Sequence, residues 1–360
     1  MKNVKVGIIG SSGKVGKIAS KMLKDKYYII GGQRKVNKKN YCDKTIYVDV
    51  YNDESLREFC DRCDVILNCA GPSYIIGDKV ALATLANNVM YVDAFGGNTL
   101  EDKLEPVKNK GIFVISAGCN PGLSGVIARF LIDKFSNLNK ISIFFGGQEK
   151  GSRNACADII LSSLNGYGIP ESSIENFNVI KNYSNNIGYK EMNLQGINEP
   201  VQVQSYLTKE MIRFSKRFNV PTVESFQIIP DIKSQSLIKD GCMKIALCKD
   251  LKSDMWNIID KIVDQNNTLN KTKNKWTAIH GKVEEEGYEI TIKAYDSSVI
   301  SGYVAALVVE NIIENKYENG VYWPFEILNP KVTIEALKKN NVIDIFENLE
   351  NKKLCEEGMI

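Results

Sequence analysis

The chain has 360 residues, 44% of them hydrophobic and 25% charged, with a formal net charge of +3. That length suits two domains, and the composition is that of a globular chain able to bury a full core. The small net charge, with lysines interleaved among acids, argues against a nucleic-acid footprint, and no run approaches the roughly 20 apolar residues of a membrane-spanning helix. A strand begins within a few residues of the N-terminus and leaves no room for a signal peptide, so a cytoplasmic location with reduced cysteines is expected.

The first element is the apolar run 4–9, which passes through "GSSGKVG" into an amphipathic stretch over 14–24. Gly10, Gly13 and Gly16 fall at the strand end and the helix start. Glycine there lets the turn tighten and lets a pyrophosphate approach the free N–H groups at the helix N-terminus. The same glycines also suit a tight turn with no ligand. On the ligand reading, Gly10, Ser11, Ser12, Gly13, Lys14, Val15 and Gly16 hold the cofactor phosphates.

The second strand, 27–31, runs into "GGQRKVNKK". An acid at this strand end would bind a ribose 2′-OH, whereas basic residues pair with a 2′-phosphate. Arg34 and Lys35 stand there, which points to NADP(H); the alternative is a pair of solvated surface charges. Asp49 follows the third strand, 45–48, and either caps the adenine pocket or serves the turn. The helix 53–60 ends in the Cys60-Asp-Arg-Cys63 spacing, which invites a redox or zinc reading. No second CxxC or paired histidine accompanies it, so a structural role is expected and no metal site.

The fourth strand, 65–69, turns at Ala70-Gly71-Pro72 into a helix over 78–86. A fifth strand, 90–92, ends in Asp93; a helix over 99–108 and a sixth strand, 112–115, follow. Such alternation implies a Rossmann-type α/β domain, a parallel sheet with helices on both faces. Open sheets of this type bind ligands beyond the carboxyl ends of the strands. Ala70, Gly71 and Pro72 are therefore expected beside the nicotinamide ribose, with Tyr74 either near the substrate or simply packed. Asp93 and Asn120 end neighbouring strands.

Beyond residue 120 the pattern changes to longer strands at 141–145, 199–204, 223–229, 277–283 and 288–294. Tyr288, Ile290 and Ile292 alternate with Glu289, Thr291 and Lys293, the mark of a mostly antiparallel sheet with one packed face. Glu285-Glu286-Gly287 reads as a hairpin turn, and 266–275 as a polar loop. A helix over 299–314 is expected to pack back on the first domain. The implied division is a dinucleotide-binding domain over 1–120, an α+β substrate and dimerisation domain over 121–297, and C-terminal helices over 298–360 returning to the first domain. His280 is expected half-exposed on a polar strand face.

Three segments taken together, the glycine loop, "NCAGPSYIIGDKVALATLANNVMYVDAFGG" and "ISAGCNPGLSGVIARFL", resemble the saccharopine dehydrogenase-like family. The resemblance covers about the first 130 residues and returns faintly at "SGYVAALVVENIIENKYENGVYWP". It implies NAD(P)-dependent chemistry at a carbon–nitrogen bond. Many members carry Asp before the Pro-Gly, facing the substrate amine; Asn120 stands there instead, which departs from a lysine-like substrate. Such chemistry needs a proton donor near nitrogen. Tyr74, Tyr91, Asp93 and residues 147–158 are the candidates, with Asp158 a donor or a lysine's partner and Arg153 a carboxylate clamp or a surface charge. An inter-domain cleft lined by Tyr74, Asp93, Asn120 and residues 147–158 is expected to hold a small-molecule substrate, and the second sheet to build a homodimer. Two other functions fit the same residues. One is reduction of a C=C or C=O group in a lipid-like or carrier-bound intermediate; the other is NADP sensing without turnover.

Overall fold

The computed structural model describes residues 3–36, 41–166, 168–182, 189–248 and 251–349. Its elements begin β1 (Lys5–Ile9), α1 (Lys14–Leu23), β2 (Tyr28–Gln33), β3 (Lys44–Tyr47), α2 (Asp53–Cys60), β4 (Val65–Asn68), α3 (Ser73–Ala86), β5 (Met90–Asp93), α4 (Gly97–Leu104) and β6 (Ile112–Val114). Next come α5 (Leu123–Lys134), β7 (Lys140–Gln148), α6 (Arg153–Leu164), β8 (Gly168–Pro170), β9 (Ser172–Glu175), β10 (Asn178–Lys181), β11 (Tyr189–Met192) and β12 (Val201–Thr208). The chain continues through α7 (Lys209–Phe218), β13 (Thr222–Ile229), α8 (Ile232–Ala246), α9 (Leu251–Leu269), β14 (Trp276–Val283) and β15 (Tyr288–Ala294). It closes with α10 (Ser297–Glu314), β16 (Gly320–Tyr322), α11 (Pro324–Ile327), α12 (Pro330–Lys339) and β17 (Asp344–Leu349).

These elements form two compact units. The first comprises Met1–Leu123, Ser152–Asn165 and Ser297–Thr333; the second comprises Ser124–Gly151, Gly166–Asp296 and Ile334–Ile360. The helix α6, expected in the second domain, thus belongs to the first unit.

The first unit is built on a seven-stranded parallel sheet in the order β16-β6-β5-β4-β1-β2-β3. Its central strands are buried on both faces, as β4 shows with Val65, Ile66 and Leu67 all fully covered, which is why they read as apolar runs without alternation. β16 supplies a parallel strand that the sequence did not announce, pairing Val321 with Phe113. Strand order reverses at β1, which lies between β2 and β4, so the ends of β1 and β4 flank the switch point.

α10 covers α1, and Gly302 is what permits it: a Cβ there would lie 2.6 Å from the Ile18 side chain. Long and apolar enough in composition to cross a membrane, α10 nevertheless buries a row from Ile300 to Ile312 inside this unit. Cys60 and Cys63 are buried at the end of α2, and burial pushes both thiols up to about 12. Cys63 packs against Gly7 of β1. Their spacing serves the core.

The second unit holds a ten-stranded mixed sheet, with β10-β9-β13-β7-β14-β15-β17 in sequence along it. All its pairings are antiparallel except β13 with β7. The turn between β14 and β15 forms as read: Gly287 adopts φ +61° and its N–H bonds Glu284 O. Three expectations need correction. α9 continues to Leu269, so the polar loop is shorter than 266–275. Residues 344–349 do not join the first unit; they form β17, paired in register with β15, whose edge would otherwise be open. His280 is 1% exposed rather than half-exposed. Its strand is central, its Nδ1 meets Thr291 Oγ1 at 2.9 Å, and its ring lies edge-on to Phe144. Burial pushes it down to about 4, so it sits neutral in the sheet.

Candidate active site

The glycine loop closes tightly on itself. Gly10 takes φ +79°, donates to Gly32 O at 2.8 Å and accepts from Gly13 N at 2.9 Å. A Cβ at Gly10 would lie 2.8 Å from Ala70 N, and one at Gly16 2.5 Å from Gly10 O. Both walls are backbone and cannot give way. Gly10 therefore lets the ends of β1 and β4 touch, and Gly16 lets α1 start against the loop. No side chain caps α1 at Gly13, and Gly13 and Lys14 are exposed. The N–H groups at a positive helix end form an anion site, and the residues present fit a cofactor pyrophosphate there.

The flanking residues divide into those that face this site and those that hold it. Ser11 is fully buried and bonds Gln33 Oε1 at 3.2 Å, so it braces the loop from below. Val15 points into the core at 8% exposure and offers only its backbone. Ser12 is half-exposed beside Gly13. At the end of β2, Gln33 stands where an acid would bind a ribose hydroxyl, and its Nε2 donates to Lys35 O at 2.8 Å. Arg34 and Lys35 are exposed just beyond it. Asp49 behaves as a turn residue: Oδ1 accepts from Tyr51 N at 3.0 Å.

At the end of β4 the chain is pinned from two sides. Asp93, with no exposed surface, accepts from Ser73 Oγ at 2.6 Å, Tyr91 OH at 2.5 Å, Phe95 N at 2.8 Å and Asn68 Nδ2 at 3.1 Å. Asn68 Oδ1 in turn accepts from Ala70 N at 3.1 Å. The Cys69–Pro72 turn is thus anchored before and after by groups that share one carboxylate. Burial raises Asp93, and the bonds from Ser73, Tyr91, Phe95 and Asn68 oppose that rise. With four donors on two oxygens, Asp93 has a positioning role rather than the proton-donor role considered for it. Burial likewise raises Tyr91, whose hydroxyl is committed to Asp93.

The N-terminus of α3 carries no cap of its own at Pro72. Asp158 of α6 supplies one, accepting from Tyr74 N at 3.0 Å. The Asp158 carboxyl is pushed up to about 6 by burial, against the bonds from the Tyr74 and Ser73 backbone, with Asp93 adding to the rise. A Cβ on Gly71 would lie 3.1 Å from Asp158 Oδ2 and 3.4 Å from Asn154 Cβ. Asn154 and Asp158 are four residues apart and share a helix face. Arg153, five residues before Asp158, is exposed on another face of α6. Tyr74 is half-buried, and its hydroxyl bonds no other described residue.

Asn120 sits in a loop closed by the bridge between Gly118 and Gly122 and by Cys119 N donating to Ser301 Oγ at 3.1 Å. Its Oδ1 is shielded from solvent and, among the described residues, meets no hydrogen-bond donor. Tyr74, Asp93 and Asp158 are thus brought together around the start of α3, and the segment leading to Asn120 leaves β6 along the end of β5, where Ala117 N donates to Asp93 O at 2.8 Å. Asn68, Ser73 and Asn154 were not singled out from sequence. Asn68 and Ser73 bracket the Gly-Pro turn in the chain, and that position is the signal that could have found them.

No protein-family model and no curated protein matches the sequence. Solved structures do match in shape. A saccharopine dehydrogenase (L-Glu forming) from Saccharomyces cerevisiae matches with a TM-score of 0.64 at 13% identity, covering 96% of this chain and 100% of its own. An amine dehydrogenase from Mycobacterium smegmatis matches at TM-score 0.46 and 7% identity, over 91% of this chain and 96% of its own. A dehydrogenase from Clostridium difficile gives 0.44 at 9% identity, over 94% of this chain and 100% of its own. The first of these spans the middle of the chain, where sequence resemblance gave no guide. Across both units, this chain has the fold of a saccharopine dehydrogenase.

Proposed function

We propose that the chain is an NADP(H)-dependent oxidoreductase of the saccharopine dehydrogenase type that reduces a C=N bond in an amino-acid- or amine-derived substrate. One observation carries the reading. A glycine-walled helix N-terminus after β1 stands beside an anchored Gly71–Pro72 turn after β4, at the reversal of strand order. The first suits a pyrophosphate; the second suits the nicotinamide end of the same ligand.

NADP(H) is favoured over NAD(H) because Gln33, Arg34 and Lys35 occupy the end of β2, where a 2′-phosphate needs cations and no carboxylate. When bound, the cofactor would supply hydride to the imine carbon and leave oxidised. Nitrogen then takes one proton, from the Tyr74 hydroxyl, from Asp158 or from water. The shielded Oδ1 of Asn120 is suited to accept a hydrogen bond from a substrate N–H, and a neutral amide there selects less strongly for an ammonium group than a carboxylate would. Asp93, Asn68 and Ser73 hold the turn in place.

The test is an assay of purified protein with NADPH or NADH against a panel of primary amines paired with 2-oxo acids, following loss of the reduced cofactor. Turnover is expected only when amine and oxo acid are both present, and faster with NADPH. Oxidation of NADPH by ketones or enones without any amine would replace the C=N assignment.

A further inference from the structure

α6 lays a carboxylate against the very turn that the proposed function gives to the nicotinamide. Asp158 Oδ1 is held by Tyr74 N at 3.0 Å, while Oδ2 stands 3.1 Å from where a Gly71 side chain would begin. The two nitrogens that bind it are backbone groups at the start of α3, so no cation neutralises it. Bound by the α3 N-terminus, the ionised form is stabilised; burial favours the neutral form. The balance leaves the carboxyl titrating at about 6.

An oxidised nicotinamide ring carries a positive charge and a reduced ring carries none. A carboxylate within a few ångströms therefore discriminates between them, and its power to do so depends on its own charge. We propose that Asp158 sets the relative affinity of the site for the two redox forms of the cofactor, favouring the oxidised form when ionised and the reduced form when protonated. This rests on the nicotinamide reading above.

Other groups face the same place. Asp93 from β5 is the nearest second carboxyl and raises Asp158 through charge. Its four donors fix it within the sheet. The first turn of α3 presents Ser73 and Tyr74 and no charged side chain. Cys69 at the end of β4 is pushed far up by burial and stays a thiol. On α6 itself, Asn154 is neutral and Arg153 lies on another face.

Oxidised cofactor lowers the Asp158 pKa and releases a proton on binding near pH 6; reduced cofactor raises it and takes one up. The ratio of dissociation constants, NADPH over NADP⁺, should therefore climb by about tenfold between pH 5 and pH 7.5, one unit of pKa difference between the two complexes. The cofactor's 2′-phosphate also titrates in this range, but both forms carry it and it cancels in the ratio.

The experiment is calorimetric titration of the full chain with NADPH and with NADP⁺ across that range, in buffers of differing ionisation enthalpy, on wild type and Asp158→Asn. A ratio that rises in wild type and stays flat within about twofold in Asp158→Asn supports the proposal. Proton release with NADP⁺ and uptake with NADPH test it on wild type alone, should the variant not fold. A flat wild-type ratio, or an equal rise in the variant, overturns it while leaving cofactor binding intact. Absence of binding by either form overturns the functional reading and the proposal with it.

Discussion

Two helix N-termini stand at the switch point of the parallel sheet, and they are finished in opposite ways. α1 begins with exposed Gly13 and no side-chain cap, its loop walled by backbone. α3 begins with Asp158 on its backbone nitrogens and Ser73 tied to a buried carboxylate. The first N–H groups of a helix have no partner within it and take one from a side chain, an anion or water. On the proposed function the glycine-walled end receives a ligand's phosphate, whereas the other end is filled by the chain's own acids, which fix a turn. That difference separates binding from positioning, and substitutions at the two ends should separate in the same way.

The largest effect is expected on the positioning side. Asp93→Ala leaves Ser73, Tyr91, Phe95 and Asn68 without their shared acceptor, in a place water does not reach. Unpaired buried donors cost roughly 1–3 kcal/mol each, so a stability loss on the order of 3 kcal/mol or more is expected by urea unfolding. A loss under about 1 kcal/mol would mean that Asp93 does not anchor the turn. On the binding side, Gly16→Ala sets a methyl 2.5 Å from a carbonyl oxygen that cannot retreat. Cofactor affinity should fall by about a hundredfold as the loop shifts off α1. Unfolding cost there should be smaller, about 1–3 kcal/mol for an overpacked site; unchanged NADPH affinity would remove the loop from the cofactor site.

Much of this contrast could be read from sequence on the α1 side and little of it on the α3 side. Gly10, Gly13 and Gly16 act through the absence of a side chain, and their spacing between an apolar strand and an amphipathic helix is local. So are six of the seven strands of the first sheet, and the apolar runs of its central strands follow from burial on both faces. Asp158 works differently. It reaches Tyr74 across 84 residues of chain, and nothing near it in sequence marks α6 as part of the first unit. Asp93 is legible as a strand-end acid, yet its saturation by four donors depends on Asn68 and Ser73 from other elements. The burial of His280 is not legible from alternating polarity, because β14 is covered by segments distant in sequence: Ile127 and Leu131 of α5 on the Gly281 side, and Phe144 against the His280 ring. β17 carries no local signal, because residues 344–349 gain their partner from the edge of β15, about 55 residues earlier in the chain.

The smallest effect lies at the far end of the same ligand. Arg34→Ala should weaken NADPH binding by about tenfold to a hundredfold, the worth of one charge-assisted contact, and leave NADH nearly unchanged. Equal losses for both cofactors would show that Arg34 stabilises the loop rather than reading the 2′-phosphate.

On the proposed function, the N-terminus of α1 receives a dinucleotide pyrophosphate and the Gly71–Pro72 turn receives its nicotinamide. A crystal structure of the chain grown with saturating NADPH tests this directly. Phosphate oxygens are expected within hydrogen-bond distance, about 3 Å, of the first backbone nitrogens of α1, and the nicotinamide ring beside Gly71. A well-ordered glycine loop with no cofactor, or a cofactor whose pyrophosphate lies elsewhere, would contradict it.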